Sequence, residues 1–193
     1  MNDLEFEEII EKICEGQSAY LCPEEYSRNL MKESDRGCVI FSSELLNDSL
    51  KSLLVAYYRK DKDNNIVKKL FSPYSPLSTF ESKISICFAS YLISTDMYSL
   101  LQNIRKMRNK FAHEKGLITF DDSKVRDIYF NLINEKPAKS SGHAPNSKTT
   151  NGDIYNRLKF AECVIKLLSR IDVVQQAICL GAPPTKLIER FEG

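Results

Sequence analysis

The chain has 193 residues, with 27 Lys and Arg against 26 Asp and Glu and a formal net charge of +1. That balance argues neither for nor against nucleic acid, and any anion-binding surface has to be local. Hydrophobic residues make up 42% and charged residues 27%, while seven Gly and seven Pro are too few for a turn-rich β-sandwich or barrel; the composition predicts an all-α bundle folded as one domain over residues 1–193.

Residues 3–15 carry Leu4, Phe6, Ile9, Ile10 and Ile13 at helical spacing, opposite Glu and Lys. The acidic start MNDLEFEEII does not read as a secretory or transit peptide. The longest uncharged run, ISICFASYLIST, is too short to cross a bilayer, so a soluble cytoplasmic protein without membrane contact is expected. Pro23 suits the first position of a new helix, with Glu24 and Glu25 at its positive end. Residues 24–60 read as a helix pair or one long interrupted helix, with a cap-like signal at Ser34–Asp35 and a weak point at Gly37. From Cys38 to Tyr57 the apolar stripe is broad, which implies burial on more than one side.

Asn64–Asn65 open a short segment that stops at Ser72–Pro73. Ser78 followed three residues later by Glu81 is a capping-box signal. The helix it starts, Thr79 to about Ile93, is almost uncharged after Lys83 and is expected to be deeply buried. A two-residue turn then leads into the next helix, so the two should pack as an antiparallel hairpin. That next helix runs from the start signal Ser94–Thr95–Asp96 to Lys115–Gly116, with Tyr98, Leu101, Ile104 and Phe111 at helical spacing.

Phe120 to Ser123 cap a further helix over about 122–134, with Val125, Ile128, Tyr129, Leu132 and Ile133 turned inward. Composition then shifts. Residues 136–153, KPAKSSGHAPNSKTTNGD, hold no large apolar side chain and read as a mobile surface loop. His143 lies in it and reads as a solvated loop residue. A long amphipathic helix over 154–180 follows, stopped by Gly181–Ala182–Pro183–Pro184, and residues 181–193 form a short tail. The expectation is thus six to seven helices with the loop ahead of the last.

Six cysteines, Cys14, Cys22, Cys38, Cys87, Cys163 and Cys179, show no C-x-x-C spacing. Several sit among apolar residues on expected helices, where a free thiol behaves as a small core side chain, so a reduced chain is the better reading. Neither histidine has a Cys at ligand spacing, so no metal is expected, and no glycine-rich phosphate loop or nucleophile elbow calls for a cofactor.

The candidate chemistry lies at the end of the helix that follows Ser94. Arg105, Arg108, Asn109 and His113 fall in its last turns, and Asn109 and His113, four apart, share a face. The run RNKFAH, Arg108 to His113, resembles the arginine–histidine motif of the HEPN superfamily. With Glu33–Gly37 opening one helix and Pro76–Ser78 preceding another, residues 24–175 resemble the mannitol operon repressor family, an all-helical group. The resemblance implies a HEPN-like bundle, a homodimer with the motifs facing one cleft, and one of two functions.

The first is metal-independent RNA cleavage, of a toxin or defence kind, with Arg108 and His113 catalytic and Asn109 in support. The chemistry is sound in principle. A 2′-hydroxyl attacks its own phosphorus while imidazole moves the proton, leaving a 2′,3′-cyclic phosphate and a 5′-hydroxyl end. A guanidinium fork meets the charge that gathers on the phosphoryl oxygens. RNA would be the substrate, and an antitoxin a possible partner. Arg105 and Lys110, with Lys106 and Lys115, make this the most positive local stretch, although a charge run on a helix is usually a solvated face. Asp35 and Glu44 are candidates to orient Arg105 or Arg108, against the plainer roles of helix cap and solvated acid. The second function is a non-catalytic transcriptional regulator that acts through a regulatory protein partner. No helix-turn-helix with a polar recognition helix is evident, so direct sequence-specific DNA binding is not expected.

Overall fold

A computed structural model describes residues 23–58, 64–133 and 150–183. Among them are seven helices and no strand: α1 (Pro23–Leu30), α2 (Asp35–Tyr58), α3 (Asn64–Leu70), α4 (Phe80–Ala89), α5 (Thr95–His113), α6 (Ser123–Ile133) and α7 (Thr150–Cys179). The expected all-α class is what is found. The helix expected over 3–15, the residues around His143 and the tail beyond 183 lie outside the described residues.

The described residues divide into two compact units, one of 45–58, 64–102 and 166–183 and one of 23–44, 103–133 and 150–165. In the first, Leu46, Leu50, Leu53, Leu54, Ile84, Leu101 and Ile171 are among the fully or nearly fully buried side chains. In the second, the core is a cluster of rings. Phe120 sits 5.7 Å from Phe111, 5.1 Å from Tyr129 and 5.3 Å from Phe160, centroid to centroid.

Helix boundaries follow local chemistry, and several differ from expectation. Residues 24–60 form a pair, α1 and α2. The break falls at residues 31–34, ahead of Gly37, because Ser34 caps α2: its Oγ accepts the Gly37 amide at 3.1 Å. α4 is capped by Thr79, not Ser78; the Thr79 hydroxyl accepts the Ser82 amide at 3.0 Å. Asp122 caps α6 through the Lys124 amide at 2.9 Å. α7 begins at Thr150, so the last residues of the stretch expected to be loop are helical.

α4 and α7 end in the same way. At α7, the Gly181 amide bonds the Ile178 carbonyl at 3.0 Å and the Ala182 amide bonds the Ala177 carbonyl at 2.9 Å, with Gly181 at φ 91°. This is a Schellman closure, with glycine at the left-handed position. At α4, the Tyr91 amide bonds the Phe88 carbonyl at 3.0 Å and the Leu92 amide bonds the Cys87 carbonyl at 2.9 Å. Here the left-handed position, φ 55°, is held by Tyr91. The closure ends α4 at Ala89, four residues before the expected Ile93, and lengthens the connection to α5 from the expected two residues to five. The two helices do meet: the rings of Phe88 of α4 and Tyr98 of α5 lie 4.6 Å apart, tilted by 32°.

α4 also departs from the expected burial. Lys83, Ile84 and Cys87 are buried, but Ser85, Phe88 and Ala89 are exposed. Lack of charge was a poor guide to burial here, because one face of the helix is uncharged and still meets water.

Candidate functional site

The RNKFAH residues close α5. Met97, Leu101, Ile104, Met107 and Phe111 form its buried stripe, and this repeat fixes where every polar neighbour points. Arg108 lies beside the stripe, with 38% of its side chain exposed. Asn109 and Arg105 are half-buried, and Lys110 and His113 are exposed. At 3.6 residues per turn, positions five apart are separated by about 140° around the axis. Arg108 and His113 therefore point in different directions from one helix, while Asn109 and His113 share a face.

Glu44 of α2 faces Arg108 at 3.7 Å between Oε1 and Nη2, with 56% of the Glu44 side chain exposed. Water screens such a pair, and its net contribution is about 0–1 kcal/mol. His113→Ala and Glu44→Gln should each shift the unfolding free energy by less than about 0.5 kcal/mol; chemical denaturation of the two variants checks this, and a larger loss would show that these groups hold the fold.

Asp35 differs from expectation. It is 4% exposed and does not serve the α5 arginines. Its Oδ1 takes Arg157 Nε of α7 at 2.7 Å, and its Oδ2 accepts the Phe120 amide at 3.1 Å. The physical reason is position: Asp35 opens α2 next to the segment that carries Phe120 into the ring cluster, and that segment has a buried amide to satisfy. Arg36 completes the anchoring. One of its guanidinium nitrogens, Nη2, donates to the carbonyls of Glu114 and Gly116, each at 2.7 Å. Thus Asp35, with Arg36 beside it, fixes the chain directly after the motif.

Arg157 and Phe120 were not picked out from the sequence. Arg157 is 122 residues from Asp35, and nothing local marks the pair; the apolar Phe120 among Asp and Ser residues was the one available hint. Burial pushes the Cys38 thiol up to about 11, Arg157 opposing and Asp35 reinforcing the shift. It is therefore an inert core thiol, donating to the Leu30 carbonyl at 3.1 Å. Cys38, Cys87, Cys163 and Cys179 are free. Among the described residues no group of three or more His, Cys, Asp and Glu could hold a metal ion, and no helix is long and apolar enough to cross a membrane.

A cleft of about 740 Å³ lies in the first unit, between the later turns of α2 and the end of α7, lined by residues that include Asp48, Lys51, Val55, Gln175 and Ile178. It contains none of the motif residues.

Comparison with known proteins bears on the fold and on the family. No curated protein matches the sequence. The chain is similar to the solved X-ray structure of the MtlR–HPr complex from Escherichia coli, with 17% identity and a TM-score of 0.52 over 80% of this chain and 98% of that one. At that identity the likeness concerns the fold, and it agrees with the helical architecture seen here. A family model described as MtlR, mannitol repressor, matches residues 29–181, well over half of the 193. The chain therefore belongs to the MtlR mannitol repressor family.

Proposed function

We propose that the protein is a non-enzymatic regulator of the mannitol-repressor type, acting by binding another protein, with HPr as the partner. The observation that carries this is family membership across residues 29–181, joined to a solved member-like structure that is a complex of MtlR with HPr. The geometry of the motif supports it. Arg108 faces Glu44, and about 140° around α5 separates Arg108 from His113. The regulator acts on transcription without sequence-specific DNA contacts of its own.

Calorimetric titration with purified HPr tests the proposal. Saturable binding at one HPr per chain is the expected result; no heat and no co-elution at micromolar concentrations would remove HPr as the partner.

Ribonuclease activity is the second reading. What favours it is access: His113 is exposed, Arg108 is partly so, and Arg105, Lys110 and Lys115 add positive charge nearby. It needs a second copy in a homodimer to supply the missing acid or base, and it brings in a toxin-like role with an antitoxin partner. RNA incubated in EDTA with the wild type and with His113→Ala separates the two. Under the regulator reading neither protein cleaves; cleavage by the wild type that disappears in the variant would replace it with the enzyme.

A further inference from the structure

We infer that the cleft between α2 and α7 binds a small zwitterion with an apolar side chain, the chemistry of a free amino acid such as leucine. This goes beyond the regulator reading, which stands or falls with HPr binding and not with this site.

Three observations lead there. The first is shape. The cleft has a volume of about 740 Å³, inside the range of roughly 300–1,000 Å³ usual for small-molecule sites. Each wall is a single stripe of a helix. On α2, Asp48, Lys51, Ser52, Val55 and Ala56 line the cleft, at spacings of three and four residues that put them on one face. On α7, Gln175 and Ile178 line it at the same spacing. Both walls belong to the first unit.

The second is that the polar groups of the cleft are not engaged. Asp48 and Lys51 stand three residues apart, the spacing at which Lys159 and Glu162 pair at 3.4 Å. Asp48 and Lys51 do not pair. Neither side chain, nor that of Gln175, makes a hydrogen bond or ion pair with another described residue. A carboxylate and an ammonium that share one face without meeting leave both charges open to a third party.

The third is the order of the chemistry along each wall. Asp48, Lys51 and Ser52, all exposed, come first on α2, and the half-buried Val55 and Ala56 follow one turn later. On α7 the half-buried Gln175 is followed by Ile178, which is 7% exposed. A complementary ligand carries an ammonium for Asp48, a carboxylate for Lys51 and an apolar group for Val55, Ala56 and Ile178. The Ser52 hydroxyl and the Gln175 amide are further donors to the carboxylate. A simple anion would meet Asp48 and a simple cation Lys51, so each would lose part of what the opposite charge gains.

Titration of the full chain with L-leucine tests this, with the methyl groups of Val55, Ala56 and Ile178 followed by NMR. Saturable shifts are expected with a Kd of roughly 0.1–1 mM, the affinity of a ligand this small in an open cleft. Two analogues read the charges separately. 4-Methylpentanoate lacks the ammonium and 3-methylbutylamine lacks the carboxylate; each should bind about three- to fivefold more weakly than leucine. Asp48→Asn should remove the preference for leucine over 4-methylpentanoate, and Lys51→Gln the preference over 3-methylbutylamine. Both side chains are exposed, so neither change should disturb the fold.

No saturable shift up to about 10 mM leucine, or an analogue that binds the wild type as tightly as leucine, overturns the inference. So does a neutral hexitol that binds as well, since the groove would then recognise hydroxyl groups and not paired charges. The HPr titration is independent of all these results, so failure of the site leaves the regulator reading in place, and loss of HPr as the partner leaves the site in place.

Discussion

Replacing Asp35 with alanine is expected to lower the unfolding free energy by about 3 kcal/mol, the lower end of what breaking a buried ion pair costs. The side chain is 4% exposed and touches two parts of the second unit at once. Arg157 lies at 2.7 Å, and 19% of its side chain reaches solvent; that access is why the low end of the range applies. The Phe120 amide at 3.1 Å is the second loss, because a buried N–H without an acceptor keeps its full desolvation cost. Phe120 in turn is the ring against which Phe111, Tyr129 and Phe160 pack, so its backbone position sets the registration of the whole cluster. Asp35→Asn separates the two roles. It can still accept from Phe120 but brings no charge to Arg157, so it should fall between the wild type and the alanine variant. Urea unfolding at unchanged slope gives both numbers. A loss under about 1 kcal/mol for Asp35→Ala would mean that the pair and the amide find other partners, and that Asp35 is a simple helix cap.

That result also bears on what the sequence could reveal. The helices were legible because their signals are local: the 3.6-residue repeat of Met97, Leu101, Ile104, Met107 and Phe111, Pro23 at the start of α1, and Gly181 at the end of α7. The end of α4 was not legible, since its closure places Tyr91 where glycine is the usual marker. The candidate site was legible in its residues and not in their arrangement. Glu44 and Arg108 lie 3.7 Å apart, on the parts of α2 and α5 that belong to the second unit. Asp35 does not join them, and its attachment to Arg157 across 122 residues depends on tertiary packing that no spacing encodes. Arg108 and His113, expected to serve one site, stand about 140° apart around an α5 that remains helical through His113.

Replacing Lys83 with methionine is expected to lower stability by about 2–3 kcal/mol, which for a chain of this size means a melting temperature lower by roughly 4–12 °C. Lys83 is 3% exposed, a rare place for a lysine. It also stands near the start of α4, the end of a helix where a positive charge is least welcome. Both costs are offset by its contacts. Nζ donates to Asn47 Oδ1 of α2 at 2.9 Å and to the Ser78 and Thr79 carbonyls at 3.3 Å each. The carbonyls precede α4 and Asn47 belongs to a different helix, so one side chain ties α2 to the α4 entry within the first unit. Methionine has nearly the same length and fills the space, so the loss comes from the bonds between α2 and the α4 entry more than from a cavity. Thr79 O keeps the Lys83 amide at 3.3 Å and the Ser82 hydroxyl at 3.0 Å, which confines the damage to Ser78 and Asn47 and sets the estimate below that for a fully broken network. Lys83→Arg should not rescue it, since a planar guanidinium is wider than the ammonium and cannot reproduce three bonds radiating from one atom. Thermal and urea unfolding of the two variants check this. If the methionine variant is as stable as the wild type, the polar cluster at the α4 entry is replaceable by apolar packing and α2 is held there by its leucines alone.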